Sequence, residues 1–367
     1  MNPETSRRDF IKTTLGAGAL ALTAATVANA DTAPGPQLDK KLGIALVGLG
    51  YYSTDILAPA LQETKNIALK GIVTGTPAKE KQWAEKYHIA QNNIYNYENF
   101  DRIAENQDID IIYVVLPNSM HKEYTIRAAQ AGKHVICEKP MALNSPECEA
   151  MIAACRENNV QLSIGYRMQF EPHTQELMRY SREKVFGEIK YVTAAAGFVN
   201  RSAVSHWKLQ QSYGGGALMD MGVYSIQGAR YSIGAEPLAV TAQQYKTDPE
   251  RFQVDETVTM QLEFPGGALA NVMTSFSINT NILHIVADKG WIQLNPFSGY
   301  RGIKMQTNKG PIQLADINQQ AAQMDEVAWC IANKQPMRVP GEEGLRDIKI
   351  VEAVRESLRT GARVSLV

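Results

Sequence analysis

The segment Gly43-Ile44-Ala45-Leu46-Val47-Gly48-Leu49-Gly50-Tyr51-Tyr52-Ser53 constrains this chain more than any other. Its apolar core reads as a buried strand, and Gly48-x-Gly50-x-x-Ser53 reads as a tight turn that opens a helix. Such a turn needs glycine first for the bend and again so that a ligand can approach the backbone. A third small residue lets the helix pack closely on the strand, and Ser53 is small enough. Backbone N–H groups and a helix N-terminus then converge on one point, which suits a pyrophosphate. This predicts the first unit of a dinucleotide-binding sheet, with Gly48, Leu49, Gly50, Tyr51 and Tyr52 at the nucleotide.

The pattern that follows agrees. Strand candidates are Ile44–Val47, Ile67–Val73, Ile109–Val115, His134–Cys137 and Gln161–Ile164. Helical stretches between them are Asp55–Thr64, Pro77–Tyr87, Tyr97–Glu105, Lys122–Ala131 and Ser145–Asn158. Strand–helix alternation of this kind means a doubly wound parallel sheet. After Tyr166 the pattern changes. A helix near Thr174–Arg182 precedes a strand at Ile189–Ala196, and Gly214-Gly215-Gly216 opens a helix reaching about Ser232. Strands then follow one another at Leu238–Tyr245, Glu256–Phe264, Ala268–Ser275, Ile282–Ala287 and Trp291–Leu294, with Pro265-Gly266-Gly267 as a hairpin turn. Runs of strands without helices between them mean a mainly antiparallel open sheet. Helices at Asn318–Asn333 and Gly344–Thr360 close the chain. The expected organisation is a Rossmann domain over 42–165 and an α+β substrate and oligomerisation domain over 166–367, the last helix packing back on the first domain.

The N-terminus carries a different message. Ser6-Arg7-Arg8-Asp9-Phe10-Ile11-Lys12 is a twin-arginine export signature, followed by an apolar run over Leu15–Val27 and a small-residue site at Ala28-Asn29-Ala30. This predicts a signal peptide over 1–30, cleavage after Ala30, a Pro-rich arm over 31–41 and residence in the periplasm through the twin-arginine translocation machinery. That route carries proteins that fold, often around a cofactor, before crossing the membrane. A nicotinamide enzyme beyond the cytoplasm has no soluble dehydrogenases to recycle its nucleotide, so it is expected to hold it.

Composition excludes several classes. The formal net charge is −1 with no basic cluster, which argues against nucleic acid and anionic membrane surfaces. Outside the leader no apolar run approaches the ~20 residues of a spanning helix, so no membrane anchor is expected. The six histidines show no metal-ligand spacing, so no metal is expected. Cys137, Cys148, Cys155 and Cys330 form no C-x-x-C pair and are expected as buried free thiols.

Several segments carry chemistry. The second strand ends at Val73-Thr74-Gly75. NAD sites usually place an acid there, whereas Thr74 is neutral and Lys79 adds positive charge nearby, which favours NADP. Leu116-Pro117-Asn118-Ser119-x-His121 and Cys137-Glu138-Lys139-Pro140 each follow a strand, at the carboxyl edge where ligands bind. A lysine there, beside a carboxylate and a rigid proline, can be held over a nicotinamide. A solvated Lys-Pro turn is the alternative.

Val-Gly-Leu-Gly at 47–50, Leu-Pro-Asn-Ser at 116–119, Glu-Lys-Pro at 138–140 and Gly-Gly-Gly-Ala-Leu-Met-Asp-Met-Gly-Val-Tyr at 214–224 together resemble the Gfo/Idh/MocA oxidoreductase superfamily, and within it the glucose–fructose oxidoreductase branch. The resemblance runs from about Leu38 to the C-terminus. It implies that Lys139 contacts the sugar hydroxyl and the nicotinamide, and that Asp220 and Tyr224 are the catalytic pair. It further implies that Thr74, Lys79 and Tyr97 grip the adenosine 2′-phosphate. Leu116, Pro117, Asn118, His121, Glu138, Arg167, Trp207 and Lys208 are expected to line the cofactor site, and Tyr300 the substrate. Lys208 stands where the family has arginine, and Tyr51 where it has lysine, so neither role carries over directly.

Elementary chemistry supports the pair. Asp220 and Tyr224 are spaced i,i+4 and share a helix face. A nearby Lys139 ammonium would stabilise a developing alkoxide. Tyr224 can then take the anomeric hydroxyl proton as hydride leaves C1, while Asp220 orients a sugar hydroxyl. His121 and His173 are the next bases in line. The implied activity is oxidation of an aldose to its lactone, with the hydride passed to a second sugar by tightly bound NADP in a ping-pong cycle. Alternatives are a dehydrogenase exchanging free NAD(P), a nicotinamide-dependent glycoside hydrolase, and a non-catalytic sugar-binding protein. The expected partners are small sugars and a second copy of the chain, as a homodimer or homotetramer.

Overall fold

The computed structural model describes residues 37–366. The leader, its Ala28-Asn29-Ala30 site and the arm as far as residue 36 lie outside the described residues. Six strands build the first sheet: β1 (Leu42–Val47), β2 (Ile67–Val73), β3 (Ile94–Tyr95), β4 (Ile111–Val114), β5 (His134–Cys137) and β6 (Leu162–Ile164). They pair in parallel in the order β3-β2-β1-β4-β5-β6, the order of dinucleotide-binding sheets. The strands are apolar on both faces because both are covered. Ile44, Leu46, Ile111, Tyr113 and Ile136 enter one core, and Ala45, Val47, Ile112, Val114 and Val135 the other.

The crossover helices are α1 (Ala58–Glu63), α2 (Pro77–Tyr87), α3 (His121–Gln130) and α4 (Ser145–Glu157). A wide turn of π geometry at Tyr52–Leu57 leads into α1. α2 begins on Pro77, whose missing N–H is harmless in a first turn, and stops at His88 in the left-handed region. Asn144 caps α4 by accepting from the Glu147 N–H at 2.9 Å. The helix expected from Tyr97 begins only at Phe100, as a 3₁₀ turn. Asn96 Oδ1 accepts from the N–H groups of Glu98 and Asn99, so side-chain turns occupy the backbone there. The two-residue β3 was not expected, because two residues carry no periodicity.

The second half contains α5 (Pro172–Arg182), β7 (Ile189–Gly197), α6 (Val223–Ile233), β8 (Ala239–Tyr245), β9 (Thr257–Glu263), β10 (Leu269–Ser275), β11 (Thr280–Ala287) and β12 (Gly290–Leu294). β13 (Met305–Thr307), β14 (Gly310–Ile312), α7 (Gln319–Ala332), α8 (Gly341–Thr360) and β15 (Val364–Ser365) complete it. Nine strands form one sheet in the order β14-β13-β12-β11-β7-β10-β9-β8-β15. Its pairs are antiparallel except β7 with β10, which run parallel. Gly266 and Gly267 turn the β9–β10 hairpin with φ of 77° and 83°, a region that glycine enters without a Cβ clash.

The last helices tie the sheets together. α7 sets Asp325 under the N–H groups of Lys65 and Asn66. α8 sets Glu352 against Ser145 and gives Ser357 Oγ to the Ala242 N–H. Between α6 and α8 lies a buried charge cluster. Arg230 donates to Asp347 Oδ1 at 2.6 Å and Glu343 Oε1 at 2.9 Å, and forms a two-pronged pair with Glu236. All four cysteines are buried free thiols. Among the described residues, no helix is long and apolar enough to cross a membrane.

Candidate active site

The residues that follow β1, β4, β5 and β6 gather at the carboxyl edge of the first sheet. Gly48 has φ of +91°, and a Cβ there would fall 2.4 Å from the Val115 carbonyl oxygen, so glycine is obligatory for the fold itself. Gly50 differs. A Cβ on Gly50 would meet nothing within 4 Å, so the protein keeps that space open. An open cradle at a helix start, lined by backbone, fits the pyrophosphate of a dinucleotide. Ser53 does more than stay small: its buried hydroxyl donates to the Gly48 carbonyl at 2.6 Å and fastens the turn. Leu49 is buried, whereas Tyr51 is 67% exposed and touches nothing that would fix it as a cofactor contact. Burial, then the nearby Glu138 carboxylate, pushes the Tyr52 phenol well above its usual range.

The residues expected at the adenosine end lie beside this turn. Thr74 is buried at the end of β2, where its N–H donates to the Tyr95 carbonyl at 3.0 Å. The Tyr97 ring packs against Gly75, close enough that a Cβ there would meet it at 3.1 Å. Lys79 Nζ reaches back to donate to the Leu49 carbonyl at 2.7 Å. A cation thus stands on the glycine turn, with a neutral hydroxyl and an aromatic ring at the end of β2, and no acid at Thr74 to repel a 2′-phosphate.

At the other end, Leu116 lies against Gly48 and Pro117 starts the turn into α3. The buried Asn118 amide donates to the Gly214 carbonyl at 2.7 Å, which joins this loop to the triple glycine. The His121 ring lies between two carbonyls, Pro140 at 2.9 Å and Leu116 at 2.8 Å. Burial lowers its affinity for a second proton, and neither nitrogen is open to substrate. His121 therefore staples the two loops, which rules against it as the alternative base. His173 is occupied too, with Nδ1 2.7 Å from Glu171 Oε1.

The lysine, aspartate and tyrosine expected to react meet where α6 begins. Asp220 sits in a second wide turn, Leu218–Gly222, of the π geometry that recurs at functional sites, and Tyr224 lies in the first turn of α6. Lys139 Nζ donates to the Asp220 carbonyl at 2.6 Å, stands 3.6 Å from Oδ1, and lies 4.4 Å from the centre of the Tyr224 ring. The i,i+4 expectation is met in substance, since both side chains face Lys139, although the turn between them is not regular α-helix. Lys208 adds a second ammonium, 2.8 Å from Asp220 Oδ2. Burial alone would push the Asp220 carboxyl up, but Lys208 and Lys139 outweigh it and hold the group below its usual range. Burial likewise opposes the charge on Lys139, yet Tyr224, Asp220 and Glu138 together hold its ammonium above the usual value. Glu138, buried, accepts from the Tyr113 hydroxyl at 2.7 Å, and burial pushes its carboxyl up.

Arg167 is fully buried with its guanidinium 5.0 Å from the Tyr224 ring centre and 4.5 Å from that of Tyr300. Its terminal nitrogens donate to Ser298 O, Gly299 O and Gln319 Oε1. It thus fastens the Tyr300 loop beside the Tyr224 ring. Tyr300 is 38% exposed and packs 5.9 Å from Tyr52, on the open side of the cluster. Trp207 stacks on His206 near Lys208. The Tyr113–Glu138 bond and the Arg167 anchorage join separate segments, the Lys208–Asp220 pair links two turns of one segment, and no spacing along the chain signals any of them. Among the described residues, no group of three or more His, Cys, Asp or Glu side chains stands ready to hold a metal.

Comparison with known proteins places this arrangement. Residues 42–166 match the oxidoreductase family with an NAD-binding Rossmann fold, and residues 174–293 match the GFO/IDH/MocA C-terminal domain. The chain is 27% identical over 339 residues to D-xylose 1-dehydrogenase (NADP(+)) of Haloarcula marismortui, covering 89% of this chain and 94% of that protein. It is 26% identical to D-glucoside 3-dehydrogenase of Escherichia coli, over 89% of this chain and 97% of the other. The crystal structure of aldose–aldose oxidoreductase from Caulobacter crescentus, complexed with glycerol, superposes with a TM-score of 0.86 at 41% identity, covering 89% of this chain and all of that one. With both domains matched and the glycine turn, the lysine and the Asp–Tyr pair brought to one sheet edge, the chain belongs to the Gfo/Idh/MocA family of oxidoreductases.

Proposed function

We propose that this protein is an exported, NADP-dependent sugar oxidoreductase that oxidises an aldose to its lactone and reduces a second sugar with the same bound nucleotide. The observation that carries this reading is the convergence of Lys139, Asp220 and Tyr224 at the carboxyl edge that also holds the glycine turn. The NADP-dependent xylose dehydrogenase and the aldose–aldose oxidoreductase among its relatives point the same way.

The nicotinamide, when bound, supplies hydride acceptance and return. The chain's own residues do the rest. Tyr224, entering the step as its phenolate, accepts the proton of the anomeric hydroxyl as the C1–H bond gives up its hydride, and the C1–O bond becomes the lactone carbonyl. Lys139, as an ammonium beside the ring, stabilises the negative charge that develops on oxygen. Asp220, an anion between two ammonium groups, accepts a hydrogen bond from a neighbouring sugar hydroxyl and sets the ring's orientation. The reverse sequence reduces the second sugar, Tyr224 returning its proton. Thr74, Lys79 and Tyr97 hold the 2′-phosphate end.

The twin-arginine leader supports residence in the periplasm, with a mature N-terminus at Asp31. A second copy packs on the outer face of the large sheet. There Tyr191 pairs across to Leu269 and Val286, and Val286 to Trp291, a stripe of partly exposed apolar side chains. Isolation of the untagged protein from the periplasmic fraction tests these points together. The expected result is a chain beginning at Asp31, a dimer or tetramer by sedimentation, and NADP released on denaturation. A cytoplasmic monomer that releases only NAD would contradict the reading.

A further inference from the structure

Asp220 faces two ammonium groups that hold it differently. Lys139 Nζ spends its short contact, 2.6 Å, on the Asp220 backbone carbonyl and stands 3.6 Å from Oδ1. Lys208 Nζ donates directly to Oδ2 at 2.8 Å. The charge-assisted bond to the carboxylate itself therefore comes from Lys208, and it fixes where the other carboxylate oxygen points.

Lys208 is itself held in place. It lies in the short turn Trp207–Leu209, where His206 Nδ1 accepts from its N–H at 3.3 Å. The Gly216 N–H donates to the Lys208 carbonyl at 2.9 Å. A Cβ on Gly215 would fall 2.3 Å from that same oxygen. The triple glycine thus closes onto the backbone of Lys208, and four residues beyond Gly216 the chain presents Asp220. One short segment carries both halves of the ion pair.

We propose that Lys208 is a positioning residue of the reaction, whose ammonium orients and keeps charged the Asp220 carboxylate that receives the sugar hydroxyl, and is not a grip on the nucleotide. The proposal rests on the sugar-oxidoreductase reading above. Lys208 is 29% exposed at its side chain against 11% for Lys139, so its ammonium can be removed without opening a sealed core. The charged and titratable groups facing Asp220 are Lys208 and His206 from this loop, Lys139 after β5, Tyr224 on α6 and Tyr300 from the loop before β13. Without Lys208, the buried carboxylate faces one ammonium that is already bonded to its backbone carbonyl. Burial then pushes its proton affinity up, because an opposing charge at contact holds a carboxyl down by roughly 1–3 pH units. The ionised form, which the substrate needs, is then lost at higher pH than in the wild type.

The test is the pH dependence of bound-nucleotide reduction by an aldose, measured for wild type, Lys208→Met and Lys208→Arg, with nucleotide content assayed on each pure protein. Lys208→Met is expected to retain its nucleotide, to turn over about 10–100-fold more slowly at neutral pH, and to show its acid limb moved up by about one pH unit. Lys208→Arg keeps the charge and is expected to restore the wild-type limb. Gly215→Ala keeps every charge but displaces Lys208, and is expected to reproduce the moved limb if Lys208→Met folds poorly. A Lys208→Met protein that loses nucleotide while its acid limb stays in place would overturn the proposal and make Lys208 a cofactor contact. Wild-type protein that no aldose can reduce would instead contradict the function reading, which keeps the two failures distinct.

Discussion

Replacing Tyr224 with phenylalanine is expected to lower turnover by about 10²–10⁴-fold while leaving the fold and the bound nucleotide intact. The substitution removes one hydroxyl and nothing else. The ring stays, and with it the Lys139 ammonium at 4.4 Å and the Arg167 guanidinium at 5.0 Å. What disappears is the oxygen proposed to take the anomeric proton. Lys139→Ala is expected to lower turnover comparably, because the charge that stabilises that oxygen is lost. Asp220 keeps Lys208 as partner in that variant, so the wide turn at Leu218–Gly222 survives. Steady-state turnover and nucleotide content measured on each variant check this. Near wild-type turnover in Tyr224→Phe would move the base elsewhere, and neither His121 nor His173 is placed to replace it, since the His121 nitrogens face carbonyls and His173 faces Glu171.

The largest expected effect on stability lies away from the site. Arg230→Ala leaves Asp347, wholly buried, without its cation, and Glu343, nearly so, with only the half-exposed Arg346. Breaking a buried pair by removing one partner typically costs about 3–5 kcal/mol. Chemical denaturation at neutral pH should show a loss of that order. The sign of its pH dependence follows from Asp347. Burial pushes this carboxyl up to about 6 even with Arg230 beside it, above its value in the unfolded chain. Such a group favours the folded state when protonated, and that contribution is lost as pH rises through about 6. Without Arg230 the carboxylate is harder still to bury, so the loss should shrink on acidification below pH 6 and grow above it. A loss independent of pH would mean that Asp347 does not titrate in the fold. The consequence reaches the site, because Arg230 lies on the same helix as Tyr224.

Much of the fold was legible because long periodic segments bury predictable faces. The strands His134–Cys137 and Ile67–Val73 were readable to the residue, as was α2, which carries its own proline start. The two- and three-residue strands β3, β13, β14 and β15 were not, since so short a run has no pattern and is fixed by its neighbours in the sheet. The parallel pairing of β7 with β10 was equally invisible, because sequence order says nothing of which strands become neighbours.

At the site, Lys139, Asp220 and Tyr224 stood out because they lie in short dense motifs. Their meeting required the fold, with Lys139 and Asp220 drawn from different halves of the chain. The wide turns at Tyr52–Leu57 and Leu218–Gly222 escaped the reading since a 3.6-residue period cannot report an extra residue per turn. Arg167 was expected among the cofactor contacts, and its terminal nitrogens also bond the Ser298 and Gly299 carbonyls and the Gln319 side chain, which no local signal announces. Lys208 was expected among the cofactor contacts, and its partner Asp220 became visible only in three dimensions.

In the proposed cycle one site runs both half-reactions on a nucleotide that stays bound. The direct measurement is the near-ultraviolet absorbance of the purified protein, with no nucleotide added, as an aldose and then a second sugar are supplied. The band of a reduced nicotinamide is expected on the first addition and its loss on the second, with lactone formed in proportion to protein. Protein that purifies without nucleotide, and that oxidises sugar only with a continuous supply of NADP, would contradict it.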